Sequence, residues 1–311
     1  MKVIITGGCG YVGSKIIEKL IQNNHEIIIF DKISYETDLF NYNNIELLDI
    51  DITNYEKLKL LKLKNVDAVL HLAAQSSGPK SIEIPDVDIN INILGTLNMI
   101  KWSSLNQVKK IIFASSFVVY GDQLSNEKVS EESITNPKSI YALSKFYSEK
   151  LFDIYASHLG IKWNILRMFN IYGPGQDLSR ADQGMVSIFM NLVMKNDYVE
   201  VKGSLDRFRD FVYIDDVVNA WELCLLDNNN NNQIYNLGSG EKTTVKFLID
   251  TLSKIFNKEN IIIRESEGTP GDILGCYSDI SKISNELGYK PQFNIENGLL
   301  AMSEWAKSVN K

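Results

Sequence analysis

The chain has 311 residues, 44% of them hydrophobic and 23% charged, with a formal charge of −7 from 39 acidic and 32 basic side chains. That balance argues against a disordered, fibrous or disulfide-stapled protein and offers no general attraction for a nucleic-acid backbone. The length suits one large α/β domain with a smaller appendage, or two domains.

Cys9, Cys224 and Cys276 are odd in number and far apart, so neither a disulfide framework nor a close-spaced zinc site is indicated. His25, His71 and His158 do not cluster as metal ligands would, and no metal is expected. The first residues lack a signal peptide's apolar core, and no window approaches the roughly 20 apolar residues of a membrane span. A cytoplasmic protein, without membrane or nucleic-acid partners, is the expectation.

In chain order, Lys2–Thr6 reads as a strand, residues 11–23 as an amphipathic helix and 26–30 as a second strand. Residues 68–73 and 111–115 read as strands on either side of a helix at 89–105. Residues 139–158 read as a long helix, and 163–168 and 234–237 as strands. Continuous apolar runs such as Ile27-Ile28-Ile29-Phe30 suit a parallel sheet covered on both faces. The expected fold is therefore α/β, a doubly wound parallel sheet of Rossmann type. From Phe169 onward, frequent glycine and proline mark a smaller, interleaved C-terminal substrate domain. The dinucleotide-binding domain would take residues 1–168 with about 212–237, and the substrate domain about 169–211 with 238–311. The asparagine run 228–232 reads as a solvated loop, and Trp221 and Cys224 as core residues of an amphipathic helix.

The first strand runs into Gly7-Gly8-Cys9-Gly10-Tyr11-Val12-Gly13, so the glycines fall where a strand turns into a helix. Gly7 permits a tight turn, Gly10 lets main-chain N–H groups approach a pyrophosphate, and Gly13 lets helix and strand pack closely. An ordinary glycine-rich turn is the bland alternative. Asp31 follows Gly13 by 18 residues, where a carboxylate can hold both ribose hydroxyls and repel a 2′-phosphate. NAD is expected rather than NADP, although Lys32 offers a neighbouring cation. Asp51-Ile52, after a third strand, is either a cradle for the adenine edge or a surface turn.

Tyr141 and Lys145, four residues apart, share one face of the predicted helix. A phenol of ordinary pKa about 10 is too weak a base at neutral pH, and a lysine cation favours its ionised form. The same spacing is common on solvated helices, so the pair gains meaning from the glycine loop. Ser116, at the end of a strand aimed at the same edge, is placed to orient a substrate oxygen.

These features, with His71-Leu72-Ala73-Ala74, Asn92-x-x-Gly95-Thr96, Val119-Tyr120-Gly121, Arg167-x-Phe169-Asn170 and Arg209-Asp210-Phe211, resemble the extended short-chain dehydrogenase/reductases, in particular the nucleotide-sugar epimerases, dehydratases and dehydrogenases. The resemblance covers nearly the whole chain. It implies that Tyr141 is the acid/base, that Lys145 lowers its pKa and binds the nicotinamide ribose, and that Ser116 holds the sugar hydroxyl that becomes a carbonyl. It extends the NAD contacts to Tyr11, Val12, Leu72, Ala73, Ala74, Asn92 and Tyr141 itself, and the contacts to a nucleotide-diphosphate sugar to Asn170, Arg209 and Asp272. A homodimer through a four-helix bundle, built from the helices at 89–105 and 139–158, is also implied.

The family's 4,6-dehydratases carry an Asp-Glu pair after the catalytic hydroxyl residue, whereas this chain has Phe117 and Val118, which carry no proton. Oxidation at C4 remains. By analogy the leading expectation is a 4-epimerase of a UDP-hexose. A 4-dehydrogenase releasing a keto sugar is the alternative, and a non-catalytic dinucleotide sensor is a third reading, opposed by the intact Ser116, Tyr141 and Lys145. Thr269 replaces an arginine the family often has before Pro-Gly-Asp, which puts the usual phosphate clamp in question. Arg264 and Arg180 are substitutes or plain surface cations, and a GDP-linked heptose or a deoxysugar stays open as substrate.

Overall fold

The structure, a computed structural model, describes residues 1–32, 43–123, 127–180, 182–258, 260–268 and 273–309. Strands β1 (Lys2–Thr6), β2 (Glu26–Asp31), β3 (Ile45–Asp49), β4 (Ala68–His71), β5 (Lys110–Ser116) and β6 (Lys162–Met168) join the strand Gln233–Leu237 in one sheet. Its order is Gln233–Leu237, β6, β5, β4, β1, β2, β3, and every pairing is parallel. The central strands are buried along almost their whole length and mostly apolar, because helices cover both faces, as expected for doubly wound sheets.

Alternation along each strand divides the core. Val3, Ile5, Ile27, Ile29 and Leu70 pack on one face with Ile16, Leu20, Trp221 and Cys224. Ile4, Ile28, Val69 and Ile111 pack on the other with Trp102 and Trp163. The chain leaves β1 to opposite sides, so a crevice opens at the carboxyl ends of β1 and β4, where such sheets bind ligands.

Two helices depart from the simple periodic expectation. The first begins earlier, at Pro85–Asp88 with proline in its first turn, and widens into a π-helical turn over Ile89–Leu94 before Gly95–Leu105. The second starts at Ile140, because Ser139 caps it by accepting from Ala142 N, and runs as Ile140–Leu151 before a second wide turn, Phe152–Ala156. A wide turn shifts the facing of every later residue, which a strict 3.6-residue repeat does not anticipate.

Beyond β6, Asn170–Tyr172 pairs with Phe211–Tyr213, and Phe208–Arg209 lies between Thr243–Thr244 and Gly275–Cys276. Tyr198–Lys202 pairs with Ile262–Ser266. The asparagine run is more ordered than a solvated loop. Asn232 N donates to Trp163 O, Asn232 Oδ1 accepts from Trp163 N at 3.1 Å, and Asn164 Nδ2 donates to Asn230 O at 2.9 Å. Asparagine reached this role because its amide mimics a strand's main chain and because Asn232 sits at φ 59°.

Candidate active site

The glycine loop is built by close approaches. Gly7 has φ +70°, and a Cβ there would lie 2.7 Å from Ala73 N. A Cβ on Gly13 would collide with Gly7 O, and one on Gly10 would stand 3.2 Å from the same oxygen. The helix Tyr11–Gln22 then begins at Gly10 with no side-chain cap and no acid in its first turn. Its N–H groups, Tyr11 and Val12 included, form an open positive end suited to a dinucleotide's pyrophosphate.

Asp31 ends β2 beside this loop, accepting from Cys9 N at 2.8 Å and from Lys32 N at 2.8 Å. Its remaining lone pairs suit a ribose diol. Lys32 is directed elsewhere, with its Nζ 2.7 Å from Asp51. Burial alone would push the Asp51 carboxyl up, but its bonds to Lys32 and Thr53 outweigh burial and hold it below the usual range. Ile52 is 5% exposed and fills the space over Gly95. Replacing Asp31 with serine is expected to weaken NAD by about tenfold to a hundredfold and narrow its preference over NADP. Fluorescence titration with both dinucleotides measures this.

His71 is fully buried at the end of β4. Thr96 Oγ1 donates to Asn92 O, so it accepts from His71 Nε2; Nδ1 is left to accept from Thr6 Oγ1, which in turn takes Ala73 N. Burial pushes the imidazole down to about 3, so the ring stays neutral and pins Leu72 and Ala73 against the loop. Leu72, Ala73 and Ala74 are half-buried beside Gly7. Asn92 is nearly buried and its amide is engaged, accepting from Gln75 N and donating to Gln75 O and Ser144 Oγ at 2.9–3.0 Å.

Ser116, at the end of β5, and Tyr141 and Lys145, on the helix Ile140–Leu151, meet at the same edge. Lys145 is 3% exposed, donates to Ala114 O at 2.8 Å, and lies 5.9 Å from the Tyr141 ring centroid. Burial pulls its ammonium down to about 8, against Asp88 and Glu149, which hold it up. Burial raises the Tyr141 phenol to about 12, with the Ser116 hydroxyl opposing the rise and Asp88 adding to it. The arrangement can exchange a proton with a hydroxyl held at Ser116, once a positive charge stabilises the phenolate.

Beneath this edge lies a buried ion pair. Arg167 meets Glu149 at 2.7 Å and 3.0 Å, Ser115 Oγ donates to the same carboxylate at 2.5 Å, and Arg167 reaches Tyr120 at 3.0 Å.

Toward the smaller sheets, Asn170 is half-buried with Nδ2 3.3 Å from Asp210 O. Arg209 is 3% exposed, and its guanidinium donates to the main-chain oxygens of Phe208, Ile273 and Leu274. Thr269 and Asp272 lie outside the described residues. Arg180 forks onto Asp182, and Arg264 covers the Tyr198 ring at 4.5 Å.

Residues 3–238 match the NAD dependent epimerase/dehydratase family. The chain belongs to this family. It is 35% identical to a putative UDP-glucose 4-epimerase of Methanocaldococcus jannaschii, covering 99% of both chains. Its structure superposes on a UDP-glucose 4-epimerase of Thermotoga maritima, solved with UDP-glucose, with a TM-score of 0.92 at 30% identity and full coverage of both. A UDP-glucose 4-epimerase of Thermus thermophilus in complex with NAD gives 0.88 at 29% identity over 99% of each. Membership makes the protein an NAD-dependent enzyme of Rossmann type, and the loop and Asp31 fit that cofactor.

Three carboxylates escaped the sequence reading as site residues: Asp88, Glu149 and Asp210. Asp210 is fully buried and accepts from Ser239, Gly240 and Ser278, tying three segments together beside Arg209. Its place beside Arg209 in the motif is the one signal that marked it.

Proposed function

We propose that this protein is a nucleotide-sugar 4-epimerase acting on a UDP-hexose. The observation that carries this reading is the convergence of Ser116, Tyr141 and Lys145 at the edge beside the dinucleotide loop. Phe117 and Val118, where a dehydratase needs its acid and base, are apolar. The relatives' names favour the same substrate class and the same reaction.

Ser116 and Tyr141 would hold the sugar's C4 hydroxyl between them, and Tyr141 would take its proton. NAD, when bound, supplies the site for the C4 hydride and for its return. Lys145 would keep the phenolate stable by charge. After the keto sugar turns over, Tyr141 would return the proton and leave the C4 epimer. Asn170 and Arg209 are assigned to the phosphates of the sugar nucleotide, Asp272 to the substrate more generally, and the smaller sheets, with the division drawn from the sequence, to the sugar-nucleotide lobe.

A homodimer fits this reading. Val87, Leu94, Leu143, Tyr147 and Ile154 leave large apolar surface exposed on the two long helices, the pair assigned to a four-helix bundle. A cytoplasmic setting is part of the proposal; among the described residues no helix is long and apolar enough to cross a membrane.

The test is incubation with UDP-, GDP-, dTDP- and CDP-sugars plus NAD, with products resolved chromatographically. The expected result is an isomeric UDP-hexose without net NADH. NADH accumulating with a keto sugar would replace the epimerase by a dehydrogenase, and turnover confined to another nucleotide would move the substrate class.

A further inference from the structure

Asp88 closes the short helical segment Pro85–Asp88 and is fully buried. Its Oδ2 accepts from Gln75 Nε2 at 2.8 Å, while its Oδ1, also buried, has no hydrogen-bond partner among the described residues. A carboxylate buried with half of its acceptors unused is costly unless an opposite charge faces it. Asp88 does not stand apart from the chemistry. Its segment packs against Ile140–Leu151, and Gln75 links it through Asn92 to Ser144, one residue before Lys145. From the preceding helical turn, Ser81 Oγ accepts from Tyr141 N at 3.0 Å.

Lys145 is the buried cation of the same layer. Among the described residues its ammonium makes one hydrogen bond, to the neutral Ala114 carbonyl, and its other donors are those assigned to the nicotinamide ribose, so no opposite charge touches it directly. Among the described residues, the other titratable groups facing this space are matched or neutral. Glu149, on the catalytic helix, is held bidentately by Arg167 of β6, and His71 at the end of β4 is neutral. Lys80, Glu83 and Asp86, on the two short segments, are exposed to solvent, and Tyr141 is the remaining titratable neighbour.

We propose that Asp88 is a positioning residue of the reaction, the buried counter-charge that keeps Lys145 protonated beside Tyr141. Its electrostatic influence reaches both groups and lifts both. The proposal rests on the assignment of Tyr141 and Lys145 above.

Two measurements test it. In the pH profile of kcat, Asp88→Asn removes a negative charge, which lowers the pKa of a phenol and of an ammonium alike. Both limbs are expected to move to lower pH by about one unit, and Asp88→Glu is expected to move them back. A loss of amplitude with both limbs in place would overturn the role.

The second measurement is independent of turnover: urea unfolding of Asp88→Asn, Lys145→Met and the double variant. A counter-charge pair predicts that the double variant is more stable than the sum of the single losses, by about tenfold in the unfolding constant. Additive losses would overturn the pairing. If Tyr141→Phe keeps normal turnover, the catalytic reading fails, whereas the unfolding cycle still decides the pairing of Asp88 with Lys145.

Discussion

Tyr141→Phe is expected to lower kcat by about a thousandfold or more while leaving NAD affinity and thermal stability close to wild type. The loss is specific because no other described titratable side chain at this edge replaces a phenol. His71 is neutral and held between Thr6 and Thr96, Lys145 is a cation that accepts nothing, and Phe117 and Val118 carry no proton. Cofactor affinity persists because, among the described residues, Gly7 to Gly13 and Asp31 form their hydrogen bonds with each other and with neighbouring main chain rather than with the phenol oxygen.

The wild-type pH dependence follows from the same geometry. Lys145, pulled down to about 8 by burial, loses its proton and its hold on the phenolate as pH rises through that value. Activity is therefore expected to fall above about pH 8 on the alkaline side. A profile flat to pH 10 would show that Lys145 does not work through its charge.

Glu149→Gln is expected to destabilise the fold by about 3–5 kcal/mol, read as a lowered urea midpoint at unchanged slope. Glu149 and Arg167 are 2% and 4% exposed, so the mutation leaves a buried guanidinium without its counter-charge. Ser115 Oγ would also lose the carboxylate it donates to. Replacing both partners with apolar residues is expected to cost less than the single change, because no uncompensated charge remains. Equal costs would show that shape rather than charge sets the stability of this layer.

The parallel sheet was legible because β1, β2 and β4 are continuous apolar runs, and the dinucleotide loop because its glycines sit at a strand-to-helix turn. Tyr141, Lys145 and Ser116 were legible as a set from spacing, strand ends and resemblance. The carboxylates behind them were not. Asp88 and Glu149 lie in helical stretches where an acid reads as a solvated face, and only the packing of distant segments makes them interior. The wide turns at Ile89–Leu94 and Phe152–Ala156 were hidden for a related reason: they insert a phase shift rather than a change of composition. Lys32 was legible as a cation, but its commitment to Asp51 needed the two strand ends to be placed side by side.

The strand Gln233–Leu237 forms one outer edge of the large sheet, and an open edge is a template for joining another chain's strands. Here Asn236 N, which would face such an intruder, donates to the Glu131 carboxylate, and Asn236 Nδ2 donates to Val129 O and Asp279 O. Asn236 also accepts from Tyr120, the phenol that touches Arg167. The capping of this border is thus fastened, through Asn236 and Tyr120, to the buried ion pair under the candidate site. Variants that disturb that pair are therefore expected to aggregate more readily as well as to lose stability.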